Sequence, residues 1–206
     1  MISNILHAPL IRHPKPWWQP FLSFFVTLYG IFVLGWHLQP IVFLFWWEVI
    51  LMVGAALVRA LFAMEGRPFF DNFFQKIVLL VGAAVLGGAM VMLSVTFSFR
   101  AFEGAGGPGV LEGISLQTDA LTAGYVLGLA VHFFANKRYK TASPSGELMR
   151  TFTHLLVLLA LLMALTMHLI PSYPQMDQSL WVGVAVVVVK FWVDWAFQRI
   201  GPTVVP

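Results

Sequence analysis

Glu48, Lys190 and Asp194 are charged residues set in apolar runs, and their types are those of proton or ion chemistry. Glu48 follows Phe45, Trp46 and Trp47, while Lys190 and Asp194 fall in the stretch 180–197, whose other residues are apolar side chains and one Gly. A charge in hydrocarbon costs at least about 2.5 kcal/mol on insertion scales, so such a group turns inward, finds a partner and marks function. A carboxyl group among apolar neighbours is in principle a proton carrier, which makes Glu48 the candidate coupling residue of a proton- or ion-coupled small-solute transporter. Lys190, Asp194 and Gln198 share one helix face at spacings of four, so the first two can pair with each other. Lys190 can also reach back toward Glu48. Asp194 is then left for Arg59, which lies 11 residues beyond Glu48, about three turns along the same face. The favoured expectation is this polar seam of Glu48, Arg59, Lys190 and Asp194 between the second and last helices.

The six His residues are a second source of chemistry. His37 and His168 fall near one set of helix ends, His132 and His154 near the other, and His7 and His13 in the N-terminal arm. Paired depths are the pattern of a bis-His haem protein, a further alternative that no HExxH run or ligand cluster supports. The absence of Cys excludes disulfides, thiolate metal sites and thiol nucleophiles. There is no GxSxG and no Asp-rich metal motif, and no Ser, His and Asp are expected at a common depth. The glycines at 104–109 lack the Lys and Ser/Thr of a phosphate loop. No catalytic residue, metal site or cofactor is therefore expected.

Composition fixes the elements that must hold these residues. Of 206 residues 59% are hydrophobic and 10% charged, with mean hydropathy +0.83, against about 25% charged in soluble domains. The expected fold is all-α, a polytopic integral-membrane bundle of about six transmembrane helices, since a crossing helix needs about 20 apolar residues. Six stretches qualify: 18–36, 41–63, 77–97, 115–135, 151–170 and 180–197. Gln117 and Asp119 occupy the first turns of the fourth, for which a re-entrant segment is the alternative. Residues 1–17 are expected as an N-terminal arm, uncleaved because Pro14, Pro16 and Pro20 interrupt it and no small-residue cleavage site follows. The membrane domain covers 18–199 and a tail 200–206.

Ten Lys and Arg lie in the arm, the second and fourth loops with their helix ends, and after the last helix; the other side carries only Arg100. By the positive-inside rule both termini are cytoplasmic, and the expected location is the inner, cytoplasmic membrane of a prokaryote. Net charge +3 is too small to argue for nucleic acid. Trp17, Trp18, Trp36, Trp46, Trp47, Trp181 and Trp195 cluster toward helix ends as interfacial anchors. In lipid, close helix approach depends on small residues. Ala83 with Gly87, Ala84 with Gly88, and Gly124 with Gly128 supply such spacings and mark the third and fourth helices as central contacts.

The run Pro40 through Phe43, Leu44, Phe45, Trp46, Trp47 and Glu48 resembles the opening of an uncharacterised prokaryotic multi-pass membrane family known only as a domain of unknown function. The segment from Val189 and Lys190 to Asp194 resembles that family's closing Lys-x-x-x-Asp helix. The resemblance implies that Glu48, Lys190 and Asp194 are characteristic positions, and it brings no activity with it. The first functional expectation is accordingly non-enzymatic, an accessory or scaffold subunit of a membrane complex, with the lipid bilayer and other membrane proteins or a second copy as partners. Transport built on Glu48 is the alternative, and it requires a water-accessible cavity there.

Overall fold

A computed structural model of the chain describes residues 18–64, 70, 73–101, 115–164 and 180–199. The expected arm 1–17, the tail 200–206, the glycine-rich stretch 104–109 and His168 lie outside the described residues. Within them there are six α-helices and no strand: α1 (Trp18–Phe32), α2 (Leu38–Phe62), α3 (Phe73–Ala101), α4 (Ser115–Gly128), α5 (Pro144–Ala164) and α6 (Leu180–Arg199). Four of the helices, and α4 together with its continuation to Ala135, are long and apolar enough to cross a membrane; α1, of 15 residues, is a shorter apolar helix.

Helix ends depart from the hydropathy boundaries for local reasons. The first helix stops at Phe32, short of 36, because Gly35 adopts φ +66°, a left-handed conformation that ends helices and suits Gly. The chain folds back there, with the Trp36 amide donating to the Gly30 carbonyl at 3.0 Å. The Trp36 ring then covers Gly30 so closely that a Cβ there would run into it. At the other extreme α5 begins at Pro144, seven residues before the apolar run. Proline suits the first helical turn, and Glu147 supplies the acidic first-turn residue that the helix dipole favours. Helix α4 continues as a π-helix over Leu129–Ala135. The chain then turns at Lys137, φ 54°, and the Met64 amide donates to Tyr139 O at 2.7 Å, which fastens this turn to the end of α2.

Helix α2 is the centre of the bundle and touches all five others. Helix α1 packs on α6 and α4, and α3 on α2 and α5. This corrects the expectation that the third and fourth helices make the central contacts. Ala84 and Gly88 face outward, and nothing stands within 4 Å of a Cβ built on Gly88. Of the two expected α3 pairs it is Ala83 and Gly87 that lie on the inward face, Gly87 against Val53 and Phe152. Gly124 and Gly128 are buried, and they admit α1 through Leu22, Trp18 and Gln19.

Relative depth follows from the contacts. Gly183 of α6 lies against Ile41 of α2 and Ile31 of α1, and Lys190, seven residues on, meets Glu48 and Ser23. So α2 and α6 run parallel in one register, with α1 antiparallel to both. The core is built from Ile31, Leu38, Ile41 and Leu44, each at most 1% exposed, while Phe25, Val85, Met92, Trp181 and Trp192 face outward. Charges inside and large apolar side chains outside invert the distribution of a water-soluble domain.

Candidate functional site

The site grows from one lysine. Lys190 is 3% exposed and carries three N–H donors, and it spends them on three helices' worth of acceptors. Nζ lies 2.7 Å from Glu48 Oε2 on α2, 2.5 Å from Asp194 Oδ2 one turn along α6, and 3.2 Å from Ser23 Oγ on α1. The Phe45 ring stands under it at 5.0 Å, the aromatic face a cation favours. Glu48 is equally enclosed, at 4% exposed. It accepts from Ser23 Oγ at 2.8 Å on one oxygen and from Tyr125 OH at 3.1 Å on the other. Asp194, 5% exposed, completes the group by facing His154 Nε2 of α5 at 2.8 Å. The His154 ring stacks on Phe197 at 4.6 Å, which fixes its plane. Five helices thus contribute to one polar cluster near the middle of α2.

Arg59 is not part of this cluster, which corrects the expected Arg59–Asp194 pair. In a parallel register that sets Glu48 beside Lys190, Asp194 falls level with Met52, and Arg59 lies about 10 Å farther at 1.5 Å per residue. Arg59 Nε instead lies 3.2 Å from Glu147 Oε2, and Arg59 Nη2 3.5 Å from Thr151 Oγ1. Glu147 gives its other oxygen to Arg138 Nη2 at 3.0 Å. Arg150 Nη2 donates to the Phe197 carbonyl at 3.0 Å.

These two tiers are joined by a cavity of about 130 Å³. Its lining includes Glu48, Tyr125, His154 and Asp194 at the enclosed end, where the Glu48 side chain is 5% exposed, and Arg59, Arg138, Glu147 and Arg150 at the mouth, where the Arg59 and Arg138 side chains reach 28% and 24%. Water takes about 30 Å³ per molecule in the liquid, so the space suits a few waters or one small solute. The cavity is aligned with the ends of α2 and α5 that carry Arg59 and Glu147.

Ser23, His154 and Asp194 do meet at one depth, against the expectation from sequence, but not as a nucleophile and its base. Ser23 Oγ donates to Glu48, and Lys190, with its N–H groups spent on acceptors, has no lone pair to offer. Among the described residues no group of three or more His, Asp and Glu is arranged to hold a metal ion. Of the histidines, His154 turns Nε2 to Asp194, while His132 on the π-helix keeps Nδ1 buried with no hydrogen-bond partner among the described residues.

Residues 21–202, a span that contains every member of both tiers and all of the cavity wall but Gln19 and Pro20, match the family of unknown function designated DUF6498. The chain belongs to that family. Neither the curated proteins nor the solved structures contain a match to it. Membership in DUF6498 brings no activity, so function has to be argued from the charges themselves.

Ser23, Tyr125, Glu147 and Arg150 are site residues that the sequence does not single out, and His154, expected only as a haem ligand, faces Asp194 instead. Ser23 is a single hydroxyl amid Phe21, Leu22, Phe24 and Phe25. Tyr125, next to Gly124, lies about 100° round the helix from it.

Proposed function

We propose that this chain is a proton-coupled transporter of small solutes in the cytoplasmic membrane of a prokaryote, with its cavity open to the cytoplasm. The observation that carries this reading is the cavity itself, which connects one end of the bundle to buried Glu48 and Asp194. A structural ion-pair network needs no such opening.

The charge balance of the inner tier supports coupling. Two carboxylates, Glu48 and Asp194, face one ammonium, Lys190, so the tier carries one uncompensated negative charge. One net charge in a low-dielectric interior is costly, and one proton bound within the tier removes it. The groups around that proton are Ser23 from α1, Glu48 from α2, Tyr125 from α4, His154 from α5, and Lys190 and Asp194 from α6, with Arg59, Arg138, Glu147 and Arg150 beyond. A site that takes up one proton, reached by a cavity, is the minimum equipment of proton coupling.

The test uses proteoliposomes carrying an internal pH-sensitive dye and a panel of small anionic, cationic and neutral solutes. The wild-type chain should move protons when one class of solute is added, and Glu48→Gln should abolish the coupled movement. No solute-dependent proton flux from a correctly folded preparation would sink the proposal. A second reading, an accessory subunit, has its own support in the outward Ala84 and Gly88 surface of α3, small residues at the spacing that admits a partner helix. A stoichiometric companion in gentle purification, together with absent flux, would favour it.

A further inference from the structure

We infer that the mouth of the cavity is a binding site for a small oxyanion, a carboxylate or a phosphate, held by Arg59, Arg138 and Arg150. This rests on the transport reading and names the class of its substrate.

Three guanidinium groups surround the mouth, and among the described residues Glu147 is the one acidic residue lining that end. Glu147 divides itself between Arg59 and Arg138, one oxygen to each. Among the described residues Arg150 meets only a neutral carbonyl, that of Phe197. Two positive charges are therefore left over beside apolar walls, where water screens them poorly. Each guanidinium carries five N–H donors in a planar fork matched to carboxylate and phosphate oxygens. The contacts made by each of the three within the described residues take up no more than two of those donors.

The inner tier completes the logic. It carries the opposite imbalance, one negative charge too many, so the cavity is positive at the mouth and negative at its inner end. A small acid delivered as anion and proton would satisfy both ends at once, the oxyanion among the arginines and the proton in the inner tier. A cation at the mouth would face the arginines, and a neutral solute would leave both imbalances standing. The volume of about 130 Å³ limits the ligand to a few non-hydrogen atoms, below the roughly 150 Å³ in which an engineered apolar cavity holds benzene.

A phospholipid headgroup offers the same oxyanion chemistry, so the experiment needs two arms. In the first, thermal unfolding of the full chain in an uncharged detergent is followed against sodium acetate, inorganic phosphate, sodium chloride and choline chloride at matched ionic strength. Acetate or phosphate should raise the midpoint saturably over chloride, and Arg150→Gln should weaken that effect at least tenfold in concentration. If Arg150→Gln does not fold, Arg138→Gln serves, because Glu147 keeps Arg59. A shift that is the same for all salts, or the same in the variants, overturns the site. In the second arm the chain is placed in nanodiscs with and without phosphatidylglycerol. Stabilisation by that lipid alone, absent with the soluble anions, assigns the mouth to a headgroup and overturns it as a substrate site. Failure of the two readings can be told apart. Anion binding without proton flux sinks transport and keeps the site, whereas proton flux driven only by cationic or neutral solutes keeps transport and sinks the site.

Discussion

Lys190 is the residue on which the buried charges depend, and the consequences of removing it follow from counting. Lys190→Met leaves Glu48 and Asp194 as two buried carboxylates with no ammonium between them. Breaking a buried pair by deleting one partner costs about 3–5 kcal/mol, and folded yield on size exclusion in detergent should fall accordingly. Adding Glu48→Gln removes one of the stranded charges and should restore a measurable part of that loss. Strictly additive losses in the double variant would show that Glu48 and Lys190 do not interact. The pair was legible in the sequence, because charged residues in apolar runs must find each other. Its neighbours were legible only in part. The parallel register that joins Glu48 to Lys190 puts Asp194 a full seven residues short of Arg59, arithmetic available from the numbering once both helices run the same way. That His154 would fill the vacancy was not available, because nothing in one sequence sets the rotation of α5 against α6.

Between residues and fold stand the helices, and here glycine positions separate contacts that matter from spacings that occur by composition. Gly30 lies under the Trp36 ring at the turn that ends α1, and the ring is anchored by the bond from the Trp36 amide. Gly30→Ala should therefore cost about 1–3 kcal/mol through overpacking, seen as a lower unfolding midpoint. Gly88→Ala should cost nothing and can gain up to about 1 kcal/mol of helix propensity, because its Cβ meets open space. Equal effects at the two positions would overturn this account of how α1 ends and of which face α3 turns outward. All six helices could be read from hydropathy, since a long apolar run has no other stable form in lipid. Their ends could not, because α5 draws Pro144 and Glu147 into its first turn and α1 is cut short at Gly35, effects of caps and backbone conformation that hydropathy ignores. The choice between Ala84 with Gly88 and Ala83 with Gly87 needed the rotation of α3, which a chain with small residues on both faces leaves open.

At the scale of the whole molecule, the proposed mechanism requires that water reach the middle of the bundle from one side only. The sequence contains no Cys, so single introduced thiols report local hydration without background. Met52 lines the cavity level with Asp194 and is 7% exposed, whereas Val85 on α3 faces outward at 69% exposed. A thiol reacts as its thiolate, which forms only where water reaches it. Met52→Cys should therefore be modified by a small membrane-impermeant thiosulfonate in inside-out vesicles and stay unmodified in intact cells, while Val85→Cys should resist the reagent in both. Lys140→Cys, at the turn beside the cavity mouth, should label from the same side as Met52→Cys, and Trp181→Cys, at the far end of α6, from the opposite side. Labelling of Met52→Cys from the Trp181 side would reverse the direction of the cavity and with it the positive-inside assignment. No labelling from either side, with Lys140→Cys still reactive, would mean that the path to Glu48 is dry; the cluster would then be a structural ion-pair network, and the accessory-subunit reading would take precedence.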